Sequence, residues 1–272
     1  MNTSEEIIFH EPHETWTLED IRPDISHIET EDDTPVDNIF SEKQMRLLTE
    51  TLYASWQREK PFLAMADVGL FYARRKPALV PDVMLSLDVE AAKDWFQKEN
   101  RSYFTWEFGK PPEVVIEIVS NFKGEELGTK MEKYGVAHVP YYVVYDPAQN
   151  YGKPPLRLFE HNGWDYAPMT THIFAHVGLG LVLWEGVFEG RMDTWLRWCD
   201  TDGNVIPTGR ERAEAAESRT EAAESRTKAA ESHAGTEKQR AEAEKQRAEA
   251  AESRAEALAA KLRAFGINPD EA

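Results

Sequence analysis

The sequence predicts an α/β fold with added antiparallel strands and a long C-terminal helix, and three observations lead there. Two intense β-branched and aromatic runs, Val114–Val119 and Tyr141–Tyr145, flank a helical stretch at 125–137. A strand, a helix and a strand within about 30 residues make a βαβ unit, whose strands lie parallel and adjacent. A seven-residue repeat of Ala, Glu, Lys, Gln and Arg fills 210–263, and these are strong helix formers. Between an acidic arm and that repeat, residues 38–209 hold nearly all the aromatic and β-branched side chains, so the core must form there.

Taken in order, residues 1–50 contain 14 acidic and 3 basic residues. With turn formers at Asp33-Thr34-Pro35 and scattered apolar residues, 1–37 is expected to be a loosely held acidic arm. Ser41 is placed to cap a helix running to Trp56, with Met45, Leu48 and Leu52 on one face. Two strand-like runs follow, Phe62–Phe71 and Ala78–Leu87, joined by a hairpin turn at Arg74-Arg75-Lys76-Pro77. After the βαβ unit, Leu156–Glu160 and Trp164–Pro168 around Asn162-Gly163 predict a type I′ hairpin. The repeat reads EAAESRT from Glu214 and again from Glu221, and it passes through Gly235, its weakest point. Its apolar positions are almost all Ala before Leu258 and Leu262, so both a solvated single helix and a weak homodimer stalk fit it. A short tail, 264–272, closes the chain.

Composition narrows the function. The 272 residues carry 31 Lys plus Arg against 49 Asp plus Glu, a net charge of -18, which disfavours non-specific adhesion to nucleic acid or anionic lipid. Cys199 is the only cysteine, which excludes an intrachain disulfide and suits a reducing compartment. No apolar run reaches the roughly 20 residues of a membrane span, and Met1–Glu6 lacks a basic start and an apolar core, so a soluble cytoplasmic protein is expected. No Gly-rich phosphate loop is present. His172 and His176 have i, i+4 spacing in a segment that reads as strand or irregular, which does not suit a zinc helix. Trp184, Trp195 and Trp198 read as packing residues.

Glu117 is the residue most in need of a cause, because an ionised carboxylate inside a β-branched strand is costly to desolvate unless paired or metal-bound. Alternation sets Glu113, Val115, Glu117 and Val119 on one face. Asp82 lies in a second apolar run, after Pro81, at an edge or bulge. Two carboxylates from neighbouring strands offer the hard oxygens that Mg²⁺ or Mn²⁺ prefers, although Asp and Glu also end strands or accept bonds from Arg. Lys130 and Tyr134, four apart, share a helical face, either as a phosphate-stabilising cation beside a phenol or as a solvated lysine beside a core tyrosine.

Four ordered blocks carry a resemblance: Val80-Pro81-Asp82-Val83; Pro111 through Ser120; Lys130 with Tyr134; and His138 through Pro147. Together they resemble the Uma two family of the PD-(D/E)XK nuclease superfamily, over about residues 40–209. The resemblance implies a restriction-endonuclease-like mixed sheet flanked by helices, and a metal-dependent endonuclease acting on DNA. It also implies Asp82 and Glu117 as ligands of Mg²⁺ or Mn²⁺, a further ligand from the Ile118 carbonyl, and Lys130 as the electrostatic helper. Val119 stands where the superfamily places its lysine, and Lys130 on the next helix is the substitute. Ser120 matches the serine that closes the strand motif; an acid from the first helix corresponds to Glu50, or less closely Glu42. The segment 121–126 lacks the usual Pro-Ser-Thr, and His138 and Tyr141 replace the usual Gly and Glu. Arg74, Arg75, Lys76 and Lys123 could meet DNA phosphates or serve only as charged loop tips. A competing class is an inactive nuclease fold that acts as a scaffold through its tail; a third is hydrolysis of a different phosphate ester.

Overall fold

The computed structural model describes residues 38–120 and 125–264; the acidic arm at 1–37, Lys123 and residues 265–272 lie outside the described residues. The chain divides into two units, Met1–Gly209 and Arg210–Ala272. Helix α1, Ile39–Ser55, begins one turn earlier than the Ser41 cap expected. The cap is Asn38, whose Oδ1 accepts the Ser41 N–H at 2.9 Å, while Ser41 itself is buried in the first turn. Met45, Leu48 and Leu52 recur at helical spacing and are buried; each such side chain contributes about 2 kcal/mol relative to exposure.

Strand β1, Phe62–Ala66, pairs antiparallel with β3, Val83–Leu87, from Phe62↔Leu87 to Ala66↔Val83. The single long hairpin expected over 62–87 is corrected here. Asp67 adopts a positive φ of 55°, which ends β1. The apolar run beyond it leaves the sheet as β2, Leu70–Phe71, and pairs parallel with β4, Tyr103–Phe104. Leu70 also bridges Leu79, which leaves Arg74–Lys76 as an exposed turn closed by Lys76 N–H to Ala73 C=O at 3.2 Å. A four-residue helix α2, Thr105–Phe108, leads through Gly109 toward β5, Val114–Ile118.

Strand β5, helix α3 at Thr129–Val136, and β6 at Tyr141–Tyr145 form the expected βαβ unit, with β5 and β6 parallel from Val114↔Tyr141 to Ile118↔Tyr145. The helix is shorter than the 125–137 predicted, because residues 126–128 form a turn before it. Strands β7, Leu156–His161, and β8, Tyr166–Pro168, complete a six-stranded mixed sheet in the order β1-β3-β5-β6-β7-β8. The β7–β8 hairpin is real, but its turn is not type I′. Four residues, 162–165, link it, and Asn162 Oδ1 accepts the N–H groups of Trp164 and Asp165, both at 3.0 Å. Strands β9, Ile173–Phe174, β10, Leu179–Phe188, and β11, Arg191–Cys199, make a second, antiparallel sheet. The two-residue turn sits there, at Glu189-Gly190, with φ of 46° and 79°.

The six-stranded sheet is apolar on both faces. One face carries Val83, Leu85, Val114, Ile116 and Val143, packed against α1 and against Leu181, Leu196 and Trp198 of the second sheet. The other carries Met84, Val115, Tyr142 and Val144, packed with Val119, Tyr134 and Tyr103. Coverage on both sides explains the near-continuous hydrophobic reading of β5 and β6. Helix α4 runs Gly209–Ala264, 56 residues through Gly235, all but its first residue in the second unit, and none of its residues is buried. No helix among the described residues is long and apolar enough to cross a membrane.

Candidate active site

The β3–β5 pairing, Met84↔Val115 and Val83↔Ile116, ends there, and Asp82, the residue just before β3, is next in line with Glu117, whose charge acts on it. Directly opposed residues of an antiparallel pair project to the same face, so two carboxylates distant in sequence become cross-strand neighbours. Alternation gives the same answer, since Met84 and Val115 belong to the cluster on the α3 side. The Ile118 N–H donates to Asp82 Oδ2, which ties the aspartate to the end of β5. Glu117 is 1% exposed. The buried cluster on this face includes Val115 on the strand, Val119 just beyond it, and Tyr142 and Val144 on β6, which leaves the carboxylate in apolar surroundings.

Helix α3 supplies what the strand lacks. Lys130 and Tyr134, one turn apart, both reach down onto the β5 end. Tyr134 OH donates to Glu117 Oε1 at 2.6 Å, and Lys130 Nζ donates to Oε2 at 2.9 Å. Lys130 also approaches Glu126 Oε1 at 3.4 Å. Glu126 is buried in the turn before α3; Tyr151 OH donates to its Oε2 at 2.9 Å, and Tyr142 OH to its backbone carbonyl at 2.7 Å.

Burial governs the electrostatics. It pushes the Glu117 carboxyl above the usual range, against the opposing pull of Lys130 and the Tyr134 hydroxyl. Burial and then the charge of Glu117 push Asp82 up to about 8, with the Ile118 N–H opposing. Desolvation alone would lower Lys130, but Glu117, Glu126 and Asp82 outweigh it and hold the ammonium above its ordinary value. Tyr134 is raised by burial and by the adjacent carboxylate, so it stays a hydrogen-bond donor. Two carboxylates that resist ionising together are the arrangement a cation relieves. Among the described residues, no group of three or more His, Cys, Asp or Glu side chains is arranged to hold a metal ion. Asp82 and Glu117 supply two carboxylates of the hard-oxygen kind that Mg²⁺ or Mn²⁺ prefers.

Of the residues singled out in the sequence, Asp82, Glu117, Lys130 and Tyr134 come together. Ser120 follows Val119 just beyond β5, half-buried. Glu50 does not join them: α1 packs on the opposite face of the sheet, and Glu50 Oε1 accepts the Gly209 N–H at 3.2 Å. Glu42 is exposed and paired with Arg46 at 2.9 Å. Arg74, Arg75 and Lys76 occupy the exposed turn between β2 and Leu79. His172 and His176 flank β9 in turns rather than on a helix. Trp195 and Trp198 are buried, and Trp184 lies half-buried beneath the Arg197 guanidinium at 4.8 Å. Glu126 is the site residue that sequence reasoning missed. Its one signal is the four-residue spacing to Lys130, the same spacing that joined Lys130 to Tyr134.

Residues 11–172 match the Uma2 family, described as a putative restriction endonuclease. The chain belongs to the Uma2 family. No curated protein matches it. The crystal structure of a putative nuclease from Anabaena variabilis is similar at 12% identity, over 51% of this chain and 71% of that one, with a TM-score of 0.34. The Uma2 match takes in Asp82, Glu117, Glu126, Lys130 and Tyr134 and ends before β9, so β9, the β10–β11 hairpin and α4 lie outside the matched residues.

Proposed function

We propose that this Uma2 chain is an endonuclease that hydrolyses phosphodiester bonds in DNA with the help of a divalent cation, Mg²⁺ or Mn²⁺. The observation that supports this best is the meeting of Asp82 and Glu117 across β3 and β5 with the Lys130 ammonium on Glu117. Asp82 and Glu117 hold the cation. When bound, it lowers the pKa of a water molecule and offsets charge on the phosphoryl oxygens.

The other side chains act on charge and geometry. Tyr134, bonded to Glu117 Oε1, fixes the carboxylate rotamer from a buried position, so ligand geometry is set before substrate arrives. Lys130 offers an ammonium to the charge that grows on the phosphoryl group in the transition state. Val119, 2% exposed, fills the strand position with apolar surface, and the cation comes from the neighbouring helix instead. Substrate approach depends on local charge, because fields are screened over about 8 Å at physiological salt. The segment 51–209 carries 16 basic and 21 acidic residues, far closer to balance than the arm. The exposed Arg74, Arg75 and Lys76 turn lies on the loop entering Asp82 and serves as a phosphate contact in this reading.

A second reading, an inactive nuclease fold acting through its tail, draws on α4, whose Ala-rich surface is wholly unburied and could self-associate weakly. Nicking of supercoiled plasmid separates the two. Conversion to open circles with Mg²⁺ or Mn²⁺, abolished by EDTA and by Asp82→Ala, is the expected result. Equal nicking by the wild type and the variant would overturn the nuclease reading. No cleavage of any DNA form, together with association that requires the tail, would favour the scaffold.

A further inference from the structure

Lys130 has two acidic hydrogen-bond partners, and only one of them belongs to the proposed cation pair. Its ammonium lies 2.9 Å from Glu117 Oε2 and 3.4 Å from Glu126 Oε1. Both oxygens of Glu117 are engaged, one by Tyr134 and one by Lys130, so a divalent cation taken up by Glu117 competes with the ammonium for Oε2. A lysine pushed off a buried carboxylate needs another anion close by, or its charge is left poorly solvated.

Glu126 is built to be that anion. It is 4% exposed, and its far oxygen is fixed by the Tyr151 hydroxyl at 2.9 Å. Tyr151 is in turn held by Asp146, a buried carboxylate at the end of β6, which accepts the N–H groups of Asn150 at 2.9 Å and Tyr151 at 2.7 Å. The Tyr142 hydroxyl secures the Glu126 backbone from the same strand at 2.7 Å. The chain thus orders a turn, a strand and a loop around one carboxylate whose second oxygen, Oε1, faces the ammonium.

We propose that Glu126 is a positioning residue that takes over the Lys130 ammonium when Glu117 engages a divalent cation. This deepens the cation-dependent reading above and rests on it. Lys130 then stays within the site as the helper instead of blocking the ligand. Removing the charge of Glu126 leaves Lys130 with Glu117 alone, so cation affinity and turnover fall together.

The test titrates Mn²⁺ by calorimetry into the full chain and follows plasmid nicking in parallel. Partners of ligating groups typically matter by 10- to 100-fold, so Glu126→Gln is expected to weaken Mn²⁺ uptake about tenfold. It should lower kcat about tenfold with KM within about twofold. Adding Lys130→Met to Glu126→Gln should restore Mn²⁺ affinity, since the competing ammonium is gone; a purely structural role for Glu126 would not produce that recovery. If Glu126→Gln does not fold, Tyr151→Phe unanchors the same carboxylate and should shift affinity in the same direction by a smaller factor. Wild-type Mn²⁺ affinity and turnover in Glu126→Gln, or no recovery in the double variant, overturns this proposal alone. No Mn²⁺ uptake by the wild type overturns the cation reading and this proposal with it.

Discussion

Replacing Asp82 by Asn should strengthen the fold while it removes a proposed cation ligand. The Asp82 carboxyl is pushed up to about 8 from an ordinary 3.8, by burial first and then by the charge of Glu117. Below pH 3.8 the group is protonated whether the chain is folded or unfolded, and no penalty exists. As pH rises toward 8, the unfolded chain releases a proton that the fold retains, so wild-type stability declines across that window and levels off above it. Each pH unit in the window is worth about 1.4 kcal/mol, which makes the ionic penalty at pH 7 up to about 4 kcal/mol. Partial exposure and a weaker, uncharged acceptor for the Ile118 N–H reduce what the amide recovers, and a net gain of about 1 to 3 kcal/mol at pH 7 is expected. Urea denaturation in EDTA at pH 4, 6 and 8 measures it. The advantage of Asp82→Asn should be near zero at pH 4 and largest at pH 8. Saturating Mn²⁺ should then narrow the difference by stabilising only the wild type, by about 2.7 kcal/mol at 100 times Kd. An advantage that does not change with pH, or a less stable variant at pH 8 in EDTA, would refute the reasoning.

Further predictions follow from single contacts. Glu117→Gln keeps the size of the side chain but removes its charge, and nicking should fall by more than about 100-fold, beyond the loss typical of outer partners; circular dichroism should show the fold retained. Tyr134→Phe deletes the 2.6 Å bond to a buried carboxylate and should cost about 1.5 to 3 kcal/mol in urea denaturation. Trp164 is 90% exposed at the tip of the β7–β8 hairpin, so Trp164→Ser should shift stability by less than about 0.5 kcal/mol, seen as an unchanged urea midpoint. Removing 210–272 deletes a helix with no buried residue and should move the thermal midpoint of the remaining chain by less than about 2 °C in calorimetry.

The central βαβ unit was legible because its signals are local. Val114–Val119 and Tyr141–Tyr145 are buried on both faces and so read as unbroken β-branched and aromatic runs, and Lys130 and Tyr134 sit at helical spacing. Alternation also placed Glu117 on the Val115–Val119 face, where α3 meets it. The pairing of Asp82 with Glu117 could be suspected from composition, but the register that opposes them is set by long-range strand pairing that no local pattern encodes. Where β1 ends was hidden because Val68–Phe71 continues the apolar run, and only the backbone turn at Asp67 reveals that those residues join β4. Residue preference points to Asn162-Gly163 for the two-residue turn, yet it forms at Glu189-Gly190, where the ten-residue β10 and nine-residue β11 dictate the geometry. Glu50 matches a first-helix acid only through the family resemblance, and the apolar stripe of α1 commits that helix to the other face of the sheet.

The most direct measurement is an anomalous difference map from crystals soaked in Mn²⁺. The account predicts one peak within about 2.6 Å of carboxylate oxygens from both Asp82 and Glu117, with the Lys130 ammonium displaced from Glu117. A peak that touches neither residue, or no peak at saturating Mn²⁺ with the Lys130–Glu117 pair intact, would contradict it.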